Sequence, residues 1–154
     1  MTVGRDTQCL RYHASCLIAA AGSPSGGSGF LLSVCARGLL QAISSQGVLL
    51  EAERNILEKR SLAVLQSYHQ QLATTPLKLV SVPPKSVVRR YQAEVEEDAH
   101  VVAAAIAAGA EFLLTLDRPL IRRVRQAKYP INASTPGEFI ETVLPTHVDY
   151  TSIR

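Results

Sequence analysis

The sequence predicts a three-layer α/β/α sandwich built on a central, mostly parallel sheet, and three observations predict it. Short apolar runs of strand length alternate with longer stretches of helical periodicity along the chain, the pattern of βα units. The run EFLLTLD is almost continuously hydrophobic, as a strand covered on both faces must be. The composition, 47% hydrophobic and 19% charged with no Trp, gives an aliphatic interior rich in Ala and Val that suits helices packed on a sheet. With 154 residues the chain has the size of one ordinary domain, and a single domain over residues 1–154 is expected.

The elements follow in order. CLRYHASCLIAAA reads as a first strand running into a turn or helix start. SPSGGSG is a loop of small residues, before a helix from about Phe30 to Arg37. LLQAIS is the second strand, and Gln46 through about Leu72 is helical in pattern, as two consecutive helices. LKLVSV, after Pro76, makes a third strand that the VPP break ends. A helix containing VVRRYQAEVEE leads into Asp98, where DAHVVAAAIAAGA starts a second helix with an acid in its first turn and Gly109 placed to end it. EFLLTLD is the fourth strand, so Asp117 falls just past a strand's carboxyl end. RPLIRRVRQAK is a basic amphipathic helix, PINAS a short strand, and TPGEFIETVL a last helix with Thr135 as N-cap and Pro136 at its first position.

Several classes are excluded. Cys9, Cys16 and Cys35 are odd in number, lack CxxC spacing and have no matching histidine pair, so neither a disulfide framework nor a zinc site is supported, and a reducing, cytoplasmic setting is expected. The apolar stretches Cys16 to Ala21 and His100 to Leu116 are too short for a signal-peptide core and a membrane span respectively, so no membrane association is expected. The chain has no GxSxG elbow, P-loop or GxGxxG after a strand, against serine hydrolases, nucleotide kinases and dinucleotide enzymes. A net charge of +3 permits a polyanionic partner without requiring one.

Ligand sites of open α/β sheets form outside the carboxyl ends of the strands, where helix N-termini converge. Asp117 after its strand, Asp98 at a helix start and Glu51 early in the helix after the second strand all belong to that rim. Acids from three distant segments at one sheet edge suit a hard divalent cation, Mg²⁺ or Mn²⁺, because such ions prefer oxygen ligands and several negative charges. The chemistry implied is phosphodiester hydrolysis, with a metal-activated water aligned on the phosphate and no nucleophilic side chain.

Taken together, DAHVVAAAIAAGAEFLLTLDRPLI, the strand after it and TPGEFIE resemble the carboxyl-terminal signature of PIN-domain proteins, VapC-like ribonucleases among them. LIAAAGSPSGGSGFLL is similar to the family's first-strand exit and Ser-Pro-Gly loop, and VLLEAERNI to its glutamate-bearing helix. The likeness covers about residues 9–144, and it implies an endoribonuclease with RNA as substrate. It also implies a toxin role with an antitoxin protein, and a homodimer. Carried over by position, Glu51, Asp98 and Asp117 take the family's acids, and Thr115 takes the hydroxyl that positions a water or ligand. The sequence departs from the family at its first acid: His13, in HASCLI, falls at its place, with Asp6 as the alternative if an insertion separates strand from loop. Imidazole is a poor ligand for Mg²⁺ and a better one for Mn²⁺ or Zn²⁺. His13 therefore keeps open an alternative, a PIN module that binds RNA or a protein partner without cutting.

Plainer readings stand beside these. Asp98 and Asp117 could simply cap helices, and Glu51 could be a solvated helix residue. Arg118, Arg122 and Arg123, with Arg125 and Lys128, could line an RNA groove or form an exposed helix face. His69, His100 and His147 have no partner at metal spacing and read as structural or exposed.

Overall fold

The computed structural model describes residues 3–4 and 8–153, with side chains at 3–4 and from Arg11 onward. Five strands, β1 (Gln8–Tyr12), β2 (Gln41–Ser44), β3 (Leu77–Leu79), β4 (Phe112–Leu114) and β5 (Asn132–Ser134), form one sheet in the order β3-β2-β1-β4-β5. Every pairing is parallel. The chain winds outward from β1 to β3, then crosses back to lay β4 beside β1. Strand order therefore reverses between β1 and β4, and a crevice opens at their carboxyl ends.

Helices cover both faces. α1 (Ala14–Gly22) and α2 (Gly27–Ala36) join β1 to β2, and α3 (Gln46–Lys59) and α4 (Leu62–Thr74) join β2 to β3. α5 (Lys85–Val95), a 3₁₀ turn (Glu96–Asp98) and α6 (Ala99–Ala107) lead to β4, and α7 (Arg118–Ala127) to β5. α1 packs on α2, α3 and α4, whereas α5 packs on α6 and α7. Right-handed crossovers require that segregation once the winding direction reverses. Among the described residues no single helix is long and apolar enough to cross a membrane; α1 and α2 reach that length and composition only as a pair, bent by 94°.

Three boundaries differ from the sequence reading. α2 begins at Gly27 rather than near Phe30, because the small residues taken for loop are what lets its first turn lie against Pro24. β3 spans only Leu77–Leu79, with one further rung from Val80 N–H to the Ser44 carbonyl at 2.8 Å. The last helix is broken: α8 (Pro136–Glu138) continues as a π turn (Phe139–Val143) and a 3₁₀ turn (Leu144–Thr146) before α9 (Tyr150–Ile153). Pro145 has no N–H to donate and its ring excludes a regular fourth-residue bond. Phe139 still reaches the core, edge-on to Phe112 with ring centroids 5.1 Å apart.

The start of α8 is a capping box. Thr135 Oγ1 accepts from Glu138 N at 3.1 Å, and Glu138 Oε1 accepts from Thr135 N at 3.5 Å. Arg125 Nη2 donates to Glu138 Oε2 at 3.2 Å and to the Ala133 carbonyl at 2.9 Å. Asn132 and Ser134 bond to the β4 side, at 2.9 Å to the Glu111 carbonyl and 3.1 Å from Thr115 N, so Ala133 presents its peptide groups to the open edge. The hydrogen bond from Arg125 holds the Glu138 carboxyl below its ordinary range, against partial desolvation and with help from Thr135. A depressed carboxylate contributes stability above its unfolded pKa and loses it as pH falls through the folded value. Glu138→Gln is therefore expected to flatten the acid limb of a melting-temperature series, below about pH 4. Thr135→Ala should cost about 1 kcal/mol in urea unfolding at neutral pH.

Candidate active site

β1 ends at Tyr12, and His13 N–H donates to the Leu114 carbonyl at 2.9 Å, extending the β1–β4 ladder by one rung. That rung fixes His13 at the crevice. His13 is also the N-cap of α1: its Nδ1 accepts from Ser15 N at 3.3 Å and from Ser15 Oγ at 2.9 Å. With Nδ1 an acceptor, the ring proton lies on Nε2, which donates to Asp98 Oδ1 at 3.2 Å. Both side chains are only 15% exposed.

Asp98 arrives from the other side of the fold. α5 ends at Val95, and Glu96 after it, a non-glycine residue with φ 53° and ψ −121°, turns the chain into the 3₁₀ segment. Such a conformation costs about 1 to 3 kcal/mol and persists where surrounding structure enforces it. Asp98 stands at the N-cap of α6, yet its side chain makes no capping bond there. The carboxylate turns to His13 instead, so the plain capping reading does not describe Asp98.

For Asp117 the capping reading does hold. Its Oδ1 accepts from Leu120 N at 3.1 Å at the start of α7, with Pro119 in the first turn. One carboxylate oxygen is thereby oriented and the other has no capping duty. Glu51 lies on the exposed side of α3. His13, Glu51, Asp98 and Asp117 line one hollow of about 410 Å³, completed by Glu97 and His100.

A chain of hydroxyls ties the two sides of the crevice together. Thr115 Oγ1 accepts from Asp117 N at 3.0 Å and lies 3.5 Å from Ser15 Oγ, which accepts from Leu116 N at 3.1 Å. Thr115 is fully buried, so its hydroxyl acts within the protein, on the backbone that carries Asp117. Asp6 lies outside the described residues.

Sequence reasoning missed Ser15, Glu97 and His100. Glu97 and His100 are three apart across a 3₁₀ turn, a spacing that stacks side chains on one side, and His100 Nδ1 bonds the Glu97 carbonyl at 2.9 Å. The EEDAH run was the available signal, but a continuous helix would have placed these residues elsewhere. The arginines separate by role. Arg118, 71% exposed, lies 3.9 Å from Glu138, Arg123 lies 4.0 Å from Glu96, and Arg125 is engaged at the sheet edge. Arg122 is exposed on α7.

Among the described residues no three His, Cys, Asp or Glu side chains stand close enough to enclose an ion. The donor set is nevertheless oxygen-rich, with four carboxylates around one hollow. Mg²⁺ keeps several waters and commonly uses one or two carboxylates plus substrate phosphate. The residues thus fit a hydrated divalent cation and do not form a closed cage. Direct ligation by Asp98 Oδ1 would require its bond to His13 to open.

The PIN domain family matches the chain over residues 13–119, a span holding His13, Glu51, Asp98 and Asp117. The fold is similar to the crystal structure of PAE2754 from Pyrobaculum aerophilum, with a TM-score of 0.58 and 20% identity, covering 86% of this chain and 92% of that one. A search of curated proteins finds no significant match. The alternating strands, the crevice between β1 and β4 and the family match agree: the chain belongs to the PIN-domain family, with its nuclease-type fold.

Proposed function

We propose that this protein is a metal-dependent endoribonuclease that hydrolyses RNA phosphodiesters, with residues 1–154 forming a single domain. The observation that carries the reading is the gathering of Glu51, Asp98 and Asp117 from three segments around one hollow at the switch point of the sheet. Mg²⁺ or Mn²⁺ held there by these carboxylates would supply charge stabilisation at the phosphate and a water of lowered pKa. The protein's own residues supply orientation. His13 fixes one oxygen of Asp98, Ser15 fixes the His13 ring, and Thr115 fixes the backbone of Asp117. Arg118 and Arg122, at the start and on the exposed side of α7, would meet flanking phosphates, and Arg123 would join when its long contact to Glu96 opens. A toxin role with an antitoxin partner and a homodimer rest on the family resemblance. A cytoplasmic setting accords with free, buried Cys16 and Cys35, whose thiols burial pushes up to about 12.

A second reading has its own observation. By the family resemblance His13 takes the place of an anionic ligand, and its hydrogen bond to Asp98 supports a PIN module that binds RNA or a protein partner without cutting. Cleavage of labelled single-stranded RNA with Mg²⁺ or Mn²⁺, and its loss on chelation, separates the two. His13→Asp should raise Mg²⁺ affinity by about tenfold in calorimetry, since an added anion near the cation contributes about 1 to 4 kcal/mol at surface dielectrics. If the wild-type chain binds RNA but cuts with neither metal while His13→Asp cuts, the binding-module reading replaces the enzyme.

A further inference from the structure

Two imidazoles line the acidic hollow, His13 and His100, and their hydrogen bonds place the ring proton on opposite nitrogens. His13 Nδ1 accepts from Ser15 N at 3.3 Å, so its proton sits on Nε2, which donates to Asp98 Oδ1. A nitrogen that carries a proton has no lone pair to give a metal. The one lone pair of the ring is used inside the protein, in capping α1. His13 therefore occupies the place that the family resemblance gives to the first acid without being presented as a ligand.

His100 is arranged the other way. Its Nδ1 lies 2.9 Å from the Glu97 carbonyl oxygen, which can only accept, so Nδ1 carries the proton of the neutral ring. Nε2 keeps its lone pair and has no partner among the described residues. Metal-ligating histidines are commonly held this way: one ring nitrogen donates to a backbone carbonyl, which fixes the tautomer and makes the opposite nitrogen more basic. The bond forms because the 3₁₀ turn Glu96–Asp98 brings residue 97 beneath residue 100. On an ordinary surface it would only tether the ring; here the ring shares its wall with four carboxylates. Two of them have a free oxygen, since Asp98 Oδ2 and Asp117 Oδ2 have no hydrogen-bond partner among the described residues. His100 is itself exposed, so an ion in water can reach it.

We propose that His100 Nε2 is the nitrogen ligand of the divalent cation in the hollow, and that it makes the site prefer Mn²⁺ to Mg²⁺. The inference rests on the metal-dependent reading of the site and adds to it a residue and a choice of ion. Carboxylates and water serve either ion, but Mg²⁺ gives up water reluctantly and gains little from imidazole, whereas Mn²⁺ accepts it. The two histidines thus divide the work: His13 holds Asp98 by one oxygen, and His100 supplies the donor atom.

Bound Mn²⁺ is its own probe. Electron spin echo modulation of the Mn²⁺-loaded chain should show coupling to a directly bound nitrogen, and isotopic labelling of histidine nitrogen should alter it. His100→Gln, at an exposed position early in α6 where Gln suits a helix, should abolish that coupling. It should also weaken Mn²⁺ binding in calorimetry by about tenfold or more and leave Mg²⁺ affinity within about twofold. His13→Asn, which still offers a side-chain cap to α1, should keep the coupling. Coupling kept in His100→Gln and lost in His13→Asn would overturn the assignment in favour of His13. Mn²⁺ bound with no nitrogen coupling would overturn it as well, while leaving the metal-dependent reading in place. A chain that binds neither ion would remove that reading and the ligand with it.

Discussion

Asp98→Asn and Asp117→Asn should each lower RNA cleavage by about a thousandfold or more, the scale set by losing one preorganised electrostatic contact. RNA affinity should stay equal or rise, because a removed carboxylate no longer repels phosphate. The geometry makes these substitutions clean. Asn at 98 still offers an oxygen to His13 Nε2, whose bond to Asp98 Oδ1 is 3.2 Å, so the crevice keeps its shape. Asn at 117 still accepts from Leu120 N as an N-cap, a position for which Asn and Asp are equally suited. Loss of cleavage with unchanged melting temperature therefore reports on chemistry and not on folding. Arg122→Ala should behave in the opposite way, weakening binding and reducing its salt slope by about one. Cleavage at the wild-type rate by Asp117→Asn would remove the active site from this crevice.

The largest effect on stability is expected at Gly29. An ideal Cβ there would stand 2.2 Å from the Pro24 carbonyl oxygen and 2.5 Å from its carbon. Both are backbone atoms of the loop that turns α1 into α2, so no side chain can swing aside. Gly29→Ala must push the first turn of α2 away from the loop, at a cost of about 3 kcal/mol. For a chain of this size that lowers the melting temperature by about 6 to 12 °C. Gly27→Ala is the internal control. Its Cβ would meet Ile140 Cδ1 and Pro136 Cβ at 3.6 Å, ordinary contact, and alanine favours the helix by about 1 kcal/mol. Equal melting of Gly29→Ala and wild type would refute the close approach.

Much of this molecule is legible in its sequence because hydrophobic periodicity reports burial directly. EFLLTLD gave β4, and the alternation of runs and helices gave a parallel sheet. The rim positions of Asp98 and Asp117 followed from where strands end and helices begin. What stayed hidden depends on neighbours remote in sequence. Gly27–Gly29 reads as loop until Pro24 is seen to need a residue without a Cβ. Glu97 and His100 join the hollow because Glu96 adopts a positive φ, a distortion that no local preference of Glu favours. Arg125 shares the basic pattern of α7, but periodicity says which residues share a face and not what lies opposite it. Arg11 interrupts a strand that otherwise reads as apolar, and only the fold shows that it lies inside.

The contact of Arg125 with Ala133 has a consequence for self-association. β5 is an edge strand, and a bare edge is a template on which another copy's strand can add, rung by rung. The outward-facing rung of β5 is centred on Ala133, and its carbonyl is already occupied by a guanidinium that Glu138 holds in place. An incoming strand would have to displace a charged side chain to gain one neutral hydrogen bond. A single arginine thereby guards the flank of the sheet against edge-to-edge polymerisation, while the capping box that anchors its partner ties that guard to the folding of the carboxyl-terminal segment.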